Sequence, residues 1–506
     1  MILALLLALS PAPKAQGKLV VLVVVDQLRY QDVLWLSPQF GPHGFAGLGE
    51  PRQLRYETVV TETAADHATL GTGAYADLNG IIGNRFWING APHDAVEDAS
   101  CPIWGAPQLG KSAGALKVPT AGDAFKLGTN GAGRVISIAI KDRTALFLGG
   151  PSADLALWWE FETGEFASTS CYAKEAPAWL PKHPAEAFKD WVWKPMHESA
   201  LASLVPEERA EAAIPHYDFG PAFPHPVGQG KLDKRLYLAI RNSPAGTTLA
   251  LQAARAAVDG LNLGSNGSVD YLALGLSAVD GVGHMYGTHA RERVDTILRM
   301  HEELGAFLDR LRARLGPRLS VVLTSDHGLT PMAADQKRLR VTQGGAVDLD
   351  QLIVRLDQAL SDELGPRKWV ESIDGSALSL KAPFPARAVE LAADALRREP
   401  GIWKAIPTAQ MDGADADAKH SVFPGRSGQV LIVMRPLWTL KKPTDGADHG
   451  SPWNDDALVP LFQQAPGYRF RNEPRFRATQ VAPTISLLLG TAPPSAALDI
   501  PALERQ

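Results

Sequence analysis

The sequence predicts an α/β sandwich in which a central, mostly parallel sheet is flanked by helices and carries cap-like insertions. Three observations predict it. "KLVVLVVVDQLR" (Lys18 to Arg29) is a continuous, largely β-branched run that passes into Asp26. Such runs belong to strands buried on both faces, as in parallel sheets. The pattern recurs in "VDYLALGLSAVD" (Val269 to Asp280) and "RLSVVLTSDHG" (Arg318 to Gly328). Between these two, Arg291 to Leu315 sets Val294, Ile297, Leu298, Leu304, Phe307, Leu308 and Leu311 along one helical face. Strands alternating with amphipathic helices build an α/β sandwich.

The remaining elements follow in chain order. "MILALLLALSPAPKA" holds an apolar run from Ile2 to Leu9, then small residues and prolines. It is too short to span a bilayer and reads as a signal peptide over residues 1–15, although no Lys or Arg precedes the apolar run. The expected location is therefore periplasmic or secreted, with no stable membrane insertion. Residues 16–506 read as one domain with insertions near 150–235 and 344–427. In the first, Pro177 to Pro226 is rich in Pro, Trp and His; the second carries strand and helix signals of its own. "MDGADADAK" (Met411 to Lys419) reads as a loop, and "DDALVPLFQQAPG" as a further strand.

Composition is that of a globular protein, 45% hydrophobic and 21% charged, and the formal charge of −5 gives no support to a nucleic-acid partner. Two cysteines, Cys101 and Cys171, are too few for a disulfide scaffold. Their spacing leaves open whether they form one bridge or remain separate thiols.

Ligands of open α/β sheets bind beyond the carboxyl ends of the strands. Each of the three runs delivers an aspartate there. "SAVDGVGH" sets Asp280 and His284 four apart, "TSDHG" joins Asp326 to His327, and "GADHGSPWN" puts His449 in a glycine-rich loop. Singly, each is explained as a helix cap, a polar turn or a solvated histidine. Jointly, Asp26, Asp280, His284, Asp326, His327 and His449 form an oxygen and nitrogen set suited to zinc or a similar divalent ion. Two such ions about 4 Å apart would clamp the attacking and leaving oxygens of a phosphoryl group.

"TETAADHATLGTG" (Thr61 to Gly73) then acquires a context. Thr63 stands directly before a predicted helix start, where capping and an anion-attracting dipole coincide. A threonine hydroxyl becomes a competent nucleophile when a metal lowers its pKa. From the residues alone, Thr61 and Thr69 remain alternatives.

The ordered set "VVVDQLR", "TETAADHATLGTG", "GIIGNRFW", "SAVDGVGH", "TSDHG" and "DHG" resembles the alkaline phosphatase superfamily. In particular it looks like the monomeric bacterial alkaline phosphatases of the PafA type, whose nucleophile is threonine. The resemblance runs from Lys18 to about Pro494, with "QVAPTISLLLG" similar to that family's closing helix. It implies an alkaline-phosphatase-like sandwich, a monomer, and two Zn2+ per chain. One ion would be held by Asp280, His284 and His449, the other by Asp26, Asp326 and His327 beside the Thr63 oxygen. It selects Thr63 as nucleophile and gives Asn84, Lys141 and Arg143 the role of binding phosphate oxygens. His67 is then a structural residue behind the nucleophile. The implied activity is hydrolysis of small-molecule phosphate monoesters through a phosphothreonine intermediate. A nucleotide pyrophosphatase/phosphodiesterase is the alternative. A sulfatase would need a Cys-x-Pro-x-Arg context that "CPIWG" at Cys101 does not supply. Phosphoglycerate mutases of this superfamily use serine. A zinc or phosphate binder without turnover is the alternative outside enzymes. The alternation of "RVISIAIKDR" predicts that Lys141 and Arg143 share one face of a strand.

Overall fold

The long apolar run after the N-terminus becomes the middle of the molecule. In a computed structural model describing residues 17–88, 91–206, 213–338, 340–341, 343–442 and 446–506, it forms strand β1 (Lys18–Val25). The expected leader at 1–15 lies outside the described residues. Both faces of β1 are covered. Leu19, Val21, Val23 and Val25 enter one hydrophobic cluster, and Val20, Leu22 and Val24 enter another. That two-sided burial is why the run is continuous rather than alternating.

The other strands of this sheet are β2 (Arg52–Arg55), β3 (Arg134–Ala139), β4 (Leu155–Glu160), β5 (Glu165–Ala167), β6 (Val269–Leu276), β7 (Leu319–Thr324), β8 (Leu458–Gln464) and β9 (Phe476–Arg477). Among the described residues their order is β9-β2-β8-β7-β1-β6-β3-β4-β5. The central five, β7 to β4, are parallel; β8 and β5 run antiparallel to their inner neighbours. The predicted strand in "DDALVPLFQQAPG" is β8, on the antiparallel side.

Four helices start near the carboxyl ends of these strands: α1 (Thr63–Thr72), α2 (Asp142–Gly149), α3 (Ala278–Tyr286) and α4 (Arg291–Leu315), the last running back to the amino end of β7. Helix α4 has the predicted extent, and its seven predicted apolar residues are all buried.

Three expectations about organisation are corrected. The stretch expected as an insertion from 150 begins inside the sheet, because β4 pairs with β3 and Trp158 and Trp159 are core residues. "MDGADADAK" is not a plain loop: Ala416–Lys419 is a helical turn, since the Asp415 carboxylate accepts a hydrogen bond from the Ala418 amide at 3.0 Å. Strand β3 stops at Ala139, so Lys141 and Arg143 do not share a strand face. Its neighbour β6 offers no partner beyond the pair Ala139 and Gly275, and the chain turns into α2 with Lys141 at its N-cap.

The region expected as a second insertion at 344–427 builds a small antiparallel sheet of Val370–Asp374, Ala377–Leu380 and Ile402–Pro407 together with Val430–Met434, which lies past the expected end, and helices Leu349–Leu364 and Ala386–Arg397 pack on it. Among the described residues no helix is long and apolar enough to cross a membrane.

Cys101 and Cys171 are disulfide-bonded across a sequence separation of 70. Closing a loop of that length removes unfolded-state freedom worth about 4 kcal/mol in the chain-entropy account. Reduction should therefore lower the melting temperature in a calorimetric scan. An unchanged transition, with two thiols newly titratable, would show that the bridge adds nothing.

Candidate active site

The strand register explains why distant residues meet. Val24 pairs with Gly275 on one side and Thr324 on the other, and Gly275 pairs with Ala139. These residues form one row across four parallel strands. Asp26, Asp326 and Lys141 each lie two residues beyond that row, on the chains leaving β1, β7 and β3. The fourth strand, β6, runs on into α3, whose first turn carries Asp280. The i, i+4 spacing on α3 sets His284 beside it, Nε2 to Oδ1 3.3 Å. His449 comes from the loop before β8, its Nε2 4.0 Å from Asp280 Oδ1.

All six predicted ligands therefore join one cluster. Among the described residues, donor atoms within 4.8 Å of one another group Asp280, His327 and His449, and Asp26, His67 and Asp326, so these groups overlap both expected sets. A third joins His284, Asp448 and His449. His67 and Asp448 are thus additions to the predicted set. Asp448 had a signal, since Asp448-His449-Gly450 repeats Asp326-His327-Gly328. His67 becomes a neighbour only because α1 packs over the strand ends.

The imidazoles share one arrangement. Nδ1 of His67 donates to Thr63 O at 2.7 Å, of His284 to Ala447 O at 2.7 Å, of His327 to Gly328 O at 3.0 Å and of His449 to Thr61 O at 2.6 Å. A carbonyl on Nδ1 leaves Nε2 as the lone-pair nitrogen, which is how metal-binding histidines are held. Each Nε2 faces a carboxylate: His67 lies 3.5 Å from Asp26 and His327 3.2 Å from Asp326.

Among the described residues neither Asp26 oxygen accepts a hydrogen bond, nor does Asp326 Oδ2, and all are buried, although Lys141 Nζ lies 3.0 Å from Asp26 Oδ2 as an ion pair. Burial and the Asp26 charge push the Asp326 carboxyl up to about 7. Burial holds His327 down to about 4 and, with His327 and His284 nearby, His449 well below its usual value. Burial opposes protonation of His284 too, but Asp280 outweighs it and lifts His284 to about 9. Buried carboxylate oxygens without a hydrogen bond, set beside imidazole Nε2 atoms, fit a divalent cation of the zinc type.

The three threonines are now distinguishable. The Thr61 hydroxyl donates to Ser451 O at 3.1 Å, and that of Thr69 to Ala65 O at 2.9 Å. The Thr63 hydroxyl instead faces His327 Nε2 at 3.5 Å and Lys141 Nζ at 3.3 Å. Thr63 is also the first residue of α1 rather than the residue before it; the N-cap is Glu62. The helix begins one residue earlier than expected because Glu62 is extended and its side chain is engaged elsewhere, accepting the Asn84 amide at 2.9 Å.

Thr63, Asn84, Lys141 and Arg143 line one cavity of about 310 Å³, together with Asp280, His284 and His449. Asn84 Oδ1 accepts from the Ala64 amide at 3.1 Å. The orientation is thereby chosen, and the side-chain NH2 remains available to a ligand. Lys141 turns to the carboxylates, 2.6 Å from Asp280 and 3.0 Å from Asp26. Burial opposes its charge, but Asp280 and Asp26 outweigh that and raise its pKa. Among the described residues, Arg143 Nε is buried without a hydrogen-bond partner, while Nη1 lies 3.6 Å from Asp142 Oδ1. Beside it, Asp142 is held by Lys111 at 2.7 Å. The inserted sheet completes the wall with Asp374, Met434 and neighbouring residues.

Known proteins resemble this chain over most of its length. The family model for type I phosphodiesterases and nucleotide pyrophosphatases matches residues 20–452. The alkaline phosphatase PhoV of Synechococcus elongatus is 29% identical, over 96% of this chain and 92% of that protein. The alkaline phosphatase PafA of Elizabethkingia meningoseptica is 25% identical, over 96% and 94%. The crystal structure of wild-type PafA superposes with a TM-score of 0.86 at 23% identity, covering 97% of this chain and 99% of that one, and so shares the fold.

Proposed function

Since the chain belongs to the type I phosphodiesterase and nucleotide pyrophosphatase family of the alkaline phosphatase superfamily, we propose that it is an alkaline phosphatase that hydrolyses small phosphate monoesters through a phosphothreonine at Thr63. The observation that carries this reading is the cavity in which Thr63, Asn84, Lys141 and Arg143 meet beside Asp280, His284 and His449. Two zinc ions, when bound, would supply Lewis acidity that lowers the hydroxyl pKa and offsets the charge of the phosphate oxygens. Asp280, His284 and His449 would hold one, and Asp26, Asp326 and His327 the other.

The protein's own groups do the rest. Thr63 Oγ forms a bond to phosphorus as the bond to the ester oxygen breaks and the alcohol leaves. Water then displaces Thr63 and releases inorganic phosphate. The Asn84 amide and the Arg143 guanidinium donate to non-bridging oxygens, and Lys141 adds positive charge beside the nucleophile. The N-terminal end of α1 favours the same anion. The disulfide between Cys101 and Cys171 supports export to an oxidising compartment. As in the similar monomeric enzymes, one chain would suffice.

The family description also names phosphodiesterases, so the reading is tested by rates on p-nitrophenyl phosphate and bis-p-nitrophenyl phosphate with metal content determined on the same sample. The monoester should be much the faster substrate. Equal rates, or a faster diester, would favour a pyrophosphatase or diesterase. Elemental analysis of active enzyme should find close to two zinc per chain, and His449→Ala should lose about one zinc and lower activity severely. Active enzyme holding one metal or none would overturn the two-ion assignment.

A further inference from the structure

Gln27 directly follows Asp26, and its backbone is left-handed, with φ of 66°. That conformation is unusual for a residue with an unbranched side chain, and it is retained only where the surroundings impose it. Gln27 is fully buried. Its backbone amide donates to Asp326 Oδ1 at 3.0 Å, and its side-chain Nε2 donates to Asp280 Oδ1 at 3.1 Å. One residue therefore holds a carboxylate from each of the two proposed ion sets.

The details are consistent with a fixed spacer. Asp326 Oδ1 also accepts from the His327 amide at 2.7 Å, which leaves Oδ2 as its unpartnered oxygen. Asp280 Oδ1, the oxygen Gln27 holds, is the one facing both His284 and His449. The Gln27 carbonyl accepts from Arg293 at 2.7 Å, and the buried Arg293 is paired with Asp32 at 2.8 Å. Opposite the amide, α3 carries Gly283. A Cβ there would lie 1.8 Å from Gln27 Oε1, so the helix omits a side chain where the amide passes beneath Asp280.

Resting on the two-ion reading, we propose that Gln27 is a positioning residue that sets the separation of the two ion pockets, with Gly283 providing its clearance. Its backbone bond would serve the Asp326 pocket and its side-chain amide the Asp280 pocket, so a side-chain change should affect one pocket selectively.

The test is competition for Zn2+ between the full-length protein and a chromophoric chelator, followed as two release steps. His284→Ala identifies the step that belongs to the Asp280 pocket. Gln27→Asn tolerates the left-handed backbone but has an amide one methylene too short to reach Asp280. It should weaken that step by about tenfold or more, as outer partners of metal ligands do, and leave the other step as in wild type. Gly283→Ala approaches the same contact from the helix and should weaken the same step. Two-ion binding that is unchanged in both variants would overturn this inference alone. Weakening of both steps alike would also overturn it, since a general loss of structure does not choose a pocket. A wild-type chain binding fewer than two zinc ions would overturn the two-ion reading and this inference with it.

Discussion

Thr63→Ala should lower the rate of phosphate release by about three orders of magnitude or more, the scale seen when a covalent nucleophile is removed from an otherwise intact site. The expectation rests on what the hydroxyl touches. Thr63 is 2% exposed, and its Oγ lies 3.5 Å from His327 Nε2 and 3.3 Å from Lys141 Nζ, inside the cluster of candidate ligands. Its neighbours Thr61 and Thr69 commit their hydroxyls to backbone carbonyls. Removing Oγ takes away no helix-forming group, because the Thr63 carbonyl that receives His67 is main chain. The variant should therefore melt close to wild type. Thr63→Ser keeps the oxygen with more rotational freedom and should retain measurable turnover. Acid quench of the wild type during turnover should trap phosphate on Thr63. Near-normal turnover in Thr63→Ala would mean that water attacks directly, and the covalent mechanism would be wrong.

Lys141→Ala combined with Arg143→Ala should reduce the monoester rate by about three orders of magnitude, since a charged donor in a preorganised site is worth roughly 2–4 kcal/mol. The diester rate should fall far less. A monoester dianion presents three non-bridging oxygens, and a diester carries an ester group in place of one of them. The two cations have different surroundings, which sharpens the test. Lys141 is also tied to Asp280 and Asp26, so its loss leaves those carboxylates less compensated and could disturb metal binding. Arg143 lines the cavity and, among the described residues, its ion pair is with Asp142 at 3.6 Å rather than with a candidate ligand. Arg143→Ala alone is thus the cleaner variant, and it should change the ratio of monoester to diester rates with zinc content unaltered. Equal losses on both substrates would make the pair structural.

Local pattern was sufficient for the parts of this protein that local physics controls. The buried runs at β1, β6 and β7 and the apolar stripe of α4 were legible because burial on two faces or one stripe dictates residue type at every position. The aspartates at the strand ends could be read for the same reason: the end of a buried run marks the sheet edge. Where a strand stops is decided by its neighbours, however, and so the alternation of "RVISIAIKDR" misplaced Lys141 and Arg143, which lie beyond the last β3 pairing with β6. Choice among Thr61, Thr63 and Thr69 was likewise not local, because all three side chains are buried and only their partners, up to 390 positions away, differ. Gln27 carried no signal in its residue type; its significance arises from a left-handed backbone wedged between Asp326 and Asp280. Residue pattern along the chain is enough to mark the buried segments and the chemical groups at their ends. Which of those groups face one another depends on strand register and helix packing, which set distances between residues that hydrophobic periodicity does not relate.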